Sequence, residues 1–251
     1  MKARKRFGQH FLHDPGILRR IVEAIAPAPG ETIVEIGPGE GALTRPLLER
    51  AGRLIVIEID RDLVARLREK FSPGRIEIVQ ADALACDYSV HPAGVRLVGN
   101  LPYNISTPLL FRLARHAARL RDLHFMLQLE VVERMVAKPS TPAYGRLSVM
   151  LQTRFAMTRL FKVAPGCFRP PPRVDSAFVR LVPLGPESFP AHDEDVLARL
   201  LRQAFSARRK TLRNALPLEP ADFAALGIDP KLRPENLSPA DYVRIARHIA
   251  G

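Results

Sequence analysis

Thr32-Ile33-Val34-Glu35-Ile36-Gly37-Pro38-Gly39-Glu40-Gly41 decides the fold. A β-rich run ends in glycines at every second position, which reads as a strand entering a tight turn. Glycine lets the backbone turn and approach a ligand with no side chain in the way. The pattern departs from the dinucleotide fingerprint G-x-G-x-x-G, because its third glycine comes one position early. Pro38 also removes an N–H that a pyrophosphate cradle would use. A purely structural turn is the competing reading of this stretch taken alone.

Outward from this turn, apolar runs at 54–59, 76–79, 95–99 and 124–129 alternate with helix-patterned stretches at 43–50, 61–71 and 107–120. Such alternation predicts an α/β fold, a Rossmann-like parallel sheet with helices on both faces and a ligand beyond the strands' carboxyl ends. Later, 144–150 reads as a helix, 155–163 and 175–182 as strands, and 165–172 as a stiff proline-rich connection. Residues 183–190 contain three prolines and a glycine and read as a linker. Helices are expected at 193–214, 220–226 and 239–250, the last with Ser238 as N-cap and Pro239 at the first helical position. The expected organisation is a ligand-binding domain over 1–185 and a small helical domain over 186–251.

Three further strand ends carry suitable groups. Glu58, 21 residues after Gly37, can accept both hydroxyls of a ribose. Asp82 can accept from an adenine's exocyclic amine. Each also has an ordinary reading, as a solvated loop carboxylate or a helix N-cap. The fourth apolar run leads into Asn100-Leu101-Pro102-Tyr103, where an amide, a stiffened backbone and an aromatic ring can hold a planar amine and stack its base. A strand-to-helix turn is the competing reading there. The glycine turn, Glu58 and Asp82 together suit a cofactor with an adenosine but no phosphates, and S-adenosylmethionine is the candidate.

Of the 251 residues, 47% are hydrophobic, enough for a substantial core. Against 26 acidic residues stand 38 Lys and Arg, a net +12 that predicts a polyanionic partner. Arg199, Arg202, Arg208, Arg209, Lys210 and Arg213 fall within fifteen acid-free residues. Arg202, Arg209 and Arg213 are spaced to share a helical face, so phosphate contact is expected, with a solvated face as the alternative. The basic arm at 2–6 is a further candidate for contact with that polyanion, with simple fraying as the alternative. Cys86 and Cys167 support neither a disulfide framework nor a zinc site, and no metal is expected. No apolar run spans a bilayer and no signal core follows the basic start, so the cytoplasm is the expected compartment. His116, His124, His192 and His248 lie singly and read as satisfied or solvated.

The chain resembles the KsgA family of small-subunit (16S) ribosomal RNA adenine N6,N6-dimethyltransferases, which carry the class I S-adenosylmethionine-dependent methyltransferase sheet. The resemblance rests on Lys5-Arg6-Phe7-Gly8-Gln9-His10-Phe11-Leu12, Val34 to Gly41, Glu58-Ile59-Asp60, Asp82-Ala83 and Asn100 to Pro108. Phe168-Arg169-Pro170-Pro171-Pro172-Arg173-Val174-Asp175-Ser176 and Arg208-Arg209-Lys210-Thr211-Leu212-Arg213-Asn214 extend it over nearly the whole chain. It implies that His10, Leu12, Gly37, Glu58, Asp82 and Asn100 contact the methyl donor. The chain departs from the family at His10, where Asn is common. Asn100 and Tyr103 would hold the target adenine, with a carbonyl near Leu101 or Pro102 as second acceptor and Phe168 facing the base from the other side. The implied substrate is a pair of adjacent adenines in a hairpin loop near the RNA's 3′ end, within an immature small subunit, and a monomer is expected. Three alternatives stay open: an NAD-linked oxidoreductase, a non-catalytic RNA-binding assembly factor, and a large-subunit rRNA adenine methyltransferase.

Overall fold

The computed structural model describes residues 9–251, so the basic arm at 2–6 and the stretch Lys5 to Gly8 lie outside the described residues. The chain begins with β1 (Phe11–Leu12), α1 (Pro15–Ile25), β2 (Thr32–Ile36), α2 (Thr44–Arg50), β3 (Arg53–Glu58), α3 (Arg61–Lys70) and β4 (Ile76–Gln80). There follow β5 (Val95–Asn100), α4 (Ser106–Ala114), β6 (Leu120–Gln128), α5 (Leu129–Met135), α6 (Arg146–Gln152), β7 (Phe155–Val163), β8 (Phe168–Arg169) and β9 (Ser176–Pro183). It ends in α7 (Glu194–Ser206), α8 (Leu212–Ala215), α9 (Pro220–Leu226) and α10 (Pro239–Ala250). Contacts divide it into two compact units, 1–132 with 157–183, and 133–156 with 184–251.

The first unit carries a seven-stranded sheet in the order β4-β3-β2-β5-β6-β9-β7. The five strands from β4 to β6 are parallel, as the strand–helix alternation predicts. The antiparallel pairing of β9 with β6 adds to that expectation. Strand order runs one way from β2 to β4 and the other way from β5 to β6, which opens a crevice beyond the carboxyl ends of β2 and β5. These two strands lie very close: a Cβ on Gly99 would stand 2.3 Å from Ile36 O, so only glycine permits this pairing.

Side chains alternate across a strand, so Glu35, Glu58, Arg96, Asn100, Asp122 and Met126 share a face with Ile33, Val56 and Val98. Helix α1, which the sequence reading left unassigned, packs on this face through Ile21, Val22 and Ile25. Asp14 caps it by accepting from Ile17 N at 2.8 Å, and Pro15 opens the helix. Burying those three side chains contributes about 2 kcal/mol each. His124 is not solvated: it is buried, its Nδ1 faces Asp122 Oδ1 at 3.5 Å, and its Nε2 has no hydrogen-bond partner among the described residues.

The second unit has its own core, in which Tyr144 and Val149 pack with Leu197, Leu201, Phe223 and Tyr242. Tyr144 Oη donates to Leu237 O at 2.9 Å and Tyr242 Oη to Pro234 O at 2.8 Å. Residues 133–156, grouped with the sheet in the sequence reading, thus pack with the C-terminal helices. The expected helix over 193–214 is broken. It stops at Ser206, a turn closes with Lys210 N donating to Ala207 O at 2.8 Å, and α8 begins after Thr211. Arg209 and Arg213 therefore share no helix face with Arg202. Just past the break, Arg208 reaches Glu235 Oε2 at 2.5 Å and the carbonyls of Pro142 and Thr141 at 2.9 and 3.3 Å. The expected helix over 107–120 likewise ends at Ala114, and β6 already starts at Leu120.

Candidate active site

A cavity of about 1100 Å³ opens at the carboxyl edge of the sheet. All the pocket residues expected from the sequence line it: His10, Leu12, Gly37, Glu58, Asp82, Asn100, Leu101, Pro102, Tyr103 and Phe168. Exposed Arg202, Arg209, Lys210 and Arg213 belong to the second unit, as does the engaged Arg208.

The glycine turn is built around Glu58. Its Oε2 accepts from Gly39 N at 3.3 Å and its Oε1 from Asp60 N at 2.9 Å. Gly39 has φ +58°, and a Cβ there would meet the Phe11 ring at 2.9 Å, so a side chain would be both strained and obstructed. Burial raises the Glu58 pKa, and the backbone N–H groups of Asp60, Gly39 and Ile59 pull it partly back. Each carboxylate oxygen retains acceptor capacity for a diol. Asp82 uses Oδ1 to accept from Leu84 N at 2.9 Å, so it caps its turn while lining the cavity.

Glu35 received no role in the sequence reading. It is buried and accepts from Thr44 Oγ1 at 2.7 Å. Burial drives its pKa up to about 7 against that hydrogen bond, and the charge of Glu58 adds to the rise. Its position two residues before Gly37 was the available signal.

On the other side of the crevice, Asn100 Nδ2 donates to His10 O at 2.8 Å, which turns the amide oxygen away from that carbonyl. Leu101 is buried, its N–H donating to Met126 O at 3.2 Å, and Pro102 O accepts from Ile105 N at 3.2 Å. Tyr103 Oη and Ser176 Oγ are 2.6 Å apart, and the Tyr103 ring stacks on His10 with centroids 5.5 Å apart. Ser176 closes a motif quoted above but carried no assigned role. Phe168 pairs with Leu12 in the β1–β8 ladder and is only 2% exposed, a cavity wall that is also core. Among the described residues no three His, Cys, Asp or Glu side chains gather as metal ligands, and no helix is long and apolar enough to cross a membrane.

The family model described as "Ribosomal RNA adenine dimethylase" matches residues 1–251. A protein named "Ribosomal RNA small subunit methyltransferase A" from Aromatoleum aromaticum is 62% identical, covering 99% of this chain and 95% of its own length. One of the same name from Thiobacillus denitrificans is 57% identical, covering 98% of each. Among solved structures, a dimethyladenosine transferase from Plasmodium falciparum matches with a TM-score of 0.82 at 29% identity, covering 94% of this chain and 96% of that one. The 23S rRNA methyltransferase ErmE matches with 0.70 at 28% identity, covering 96% and 100%. The sheet is thus the Rossmann-like class I methyltransferase fold, and the chain belongs to the ribosomal RNA adenine dimethylase family.

Proposed function

We propose that this chain transfers methyl groups from S-adenosylmethionine to N6 of two adjacent adenines, in a hairpin loop near the 3′ end of 16S ribosomal RNA. The observation that carries the reading is the pairing, across one crevice, of a glycine–carboxylate cradle with an amide–aromatic clamp. The cradle suits the donor: Glu58 offers acceptors to a ribose, Asp82 an acceptor to an adenine amine, and Gly37 with Gly39 leave the backbone bare. Bound S-adenosylmethionine supplies an electrophilic methyl group. The residues around it need to position more than to ionise.

The target amine is a poor nucleophile because its lone pair is delocalised into the ring. Asn100 Oδ1 accepts one of its N–H groups. Leu101 O is the favoured second acceptor, since Pro102 O already accepts from Ile105 N. Two such bonds favour a pyramidal nitrogen with its lone pair free. Tyr103 stacks the unstacked base, a contact worth about 1–3 kcal/mol. No group here acts as a strong base, because the nitrogen becomes acidic once it is methylated. Arg202, Arg209, Lys210 and Arg213 supply phosphate contacts, whereas Arg208 holds the second unit together.

The chain acts as a monomer in the cytoplasm on an immature small subunit. The names of its relatives favour that substrate over large-subunit RNA. Labelled methyl transfer to small subunits lacking the modification, followed by mapping, tests the reading. Label on two adjacent adenines of a 3′ hairpin is expected; label on large-subunit RNA, or none, rejects it. Preference for NADH over S-adenosylhomocysteine in calorimetry would restore the oxidoreductase reading. Replacing Arg209 and Lys210 with Ala should reduce the log–log salt slope of RNA binding by about 1–2. An unchanged slope removes the phosphate contacts.

A further inference from the structure

Tyr103 is held at both ends. Ser106 Oγ donates to its carbonyl at 3.0 Å, and its Oη stands 2.6 Å from Ser176 Oγ. Ser176 is fully buried and opens β9, opposite Gln128 at the end of β6. The pairing continues beyond it, with Leu129 N donating to Asp175 O at 2.9 Å. The same strand holds the neighbouring clamp residue, since Leu101 N donates to Met126 O at 3.2 Å. The Tyr103 ring and the Leu101 backbone are thus both referenced to β6, at Gln128 and Met126. Burial raises the Tyr103 pKa, with the Ser176 bond working against it, so the side chain is a neutral phenol and not a proton-accepting phenolate.

We infer that Ser176 is a positioning residue for the second methyl transfer, holding the Tyr103 ring where the monomethylated base needs it. In each transfer the amine's lone pair bonds the methyl carbon as the donor's C–S bond breaks, and the amine then gives one N–H proton to water. The unmodified amine offers an N–H to Asn100 Oδ1 and another to Leu101 O. After one transfer a single N–H is left, so one of those two bonds is gone. Stacking survives that loss, and its share of the positioning grows. A stack orients a base only if its own ring is fixed. Oη lies on the ring's long axis, and conjugation keeps the phenol O–H near the ring plane. One bond there fixes the ring's tip and biases its plane. Ser176 is a firm anchor because the β6–β9 ladder sets it, not a loop. The inference rests on the reading of Asn100 and Tyr103 as the base clamp. It deepens that reading by making the two transfers depend unequally on hydrogen bonds and on the stack.

Ser176→Ala and Tyr103→Phe, each in the full chain, remove the bond, and Phe keeps the ring. Time courses on unmodified small subunits, with N6-methyl- and N6,N6-dimethyladenosine quantified by mass spectrometry, separate the two transfers. In both variants the second transfer should slow by about three- to ten-fold, the scale of one neutral hydrogen bond, and the first should slow less. Monomethyladenosine then accumulates. The double variant should be no slower than either single one, because both remove the same bond. Equal slowing of both transfers, or an unchanged product ratio, overturns the inference. So do additive losses in the double variant, which would mean that the two hydroxyls act separately. S-adenosylhomocysteine affinity by calorimetry should match that of wild type in the Ser176→Ala chain. A fall as large as the loss of rate would make Ser176 a residue of the fold or of the donor site, and overturns the inference too. A wild-type chain that dimethylates, with variants that keep its product ratio, removes only this inference. A wild-type chain that methylates no adenine removes the proposed function as well.

Discussion

One face of the sheet carries charge at both ends, and the two ends use it in opposite ways. At the amino end Arg96 donates to Asp122 from Nε and Nη2 at 2.7 and 3.1 Å, and from Nη1 to Ile25 O at 2.7 Å, where α1 ends. Glu31 lies 3.2 Å from the same guanidinium and pairs with Arg121, while Arg180 lies 3.5 Å from Asp122. Burial alone would raise the Asp122 pKa, but His124 and Arg96 outweigh it and hold it down to about 2. Every charge there has an opposite charge beside it. At the carboxyl end Glu35 and Glu58 are held by a hydroxyl and by backbone N–H groups, and both pKa values rise. The amino end closes on itself and stabilises; the carboxyl end keeps acceptors open at some expense of stability.

Four substitutions press on that contrast. Asn100→Ala should lower methylation more than about a hundred-fold through lost positioning, with RNA affinity largely intact. Equal loss of RNA binding would instead make Asn100 a docking or folding residue. Asp122→Ala should do the reverse. It removes both Arg96–Asp122 bonds, leaves that buried guanidinium with only Glu31 and the carbonyls at the end of α1, and should lower unfolding stability by about 3 kcal/mol in urea titrations, with donor affinity unchanged in the folded fraction. A drop below about 1 kcal/mol would show that the amino-end network is dispensable.

Glu35→Gln addresses the carboxyl end through pH. The folded-state pKa lies above the unfolded one, so the native chain holds a proton that the unfolded chain releases between pH 4.5 and about 7. Stability is therefore lost as pH rises through that window, by about 3 kcal/mol in all. Glu58, also raised, adds in the same direction. Gln keeps the acceptor for Thr44 without the titration, so its urea midpoint should change far less from pH 5 to pH 8 than that of wild type. Parallel profiles would show that Glu35 ionises freely. The smallest effect expected is from Glu58→Gln, which should weaken S-adenosylhomocysteine binding by about 1.5–3 kcal/mol in calorimetry. Its melting temperature should match or exceed that of wild type, and a large fall would mean that Glu58 serves the fold more than the ligand.

The carboxyl end was legible in the sequence because it is written in short local words. Gly37 to Gly41, Glu58, Asp82 and Asn100 to Tyr103 each lie at a strand end, and parallel pairing brings them together. The amino end was not. Arg96 and Asp122 sit inside strands, and only the β5–β6 register sets one opposite the other. Helix α1 escaped notice although its cap, Asp14-Pro15, is a regular start signal. The break after Ser206 was hidden because the partners of the residues that follow it, such as Arg208 with Glu235 and Pro142, are remote in sequence. Tyr103 with Ser176 and His10 with Pro170 were missed for the same reason: neither pair shares a motif.

Gly99 acts as a rigid spacer. With so little room between β2 and β5, the gap separating the donor cradle from the amide clamp is set by backbone hydrogen bonds, not by adjustable side chains. A ladder of this kind cannot widen by the size of one methyl group. An amine that has grown between a first and a second transfer must find its room elsewhere. The opposite wall, where Phe11–Leu12 meets Phe168–Arg169, is a short ladder of two residue pairs among the described residues and has few such bonds to give up.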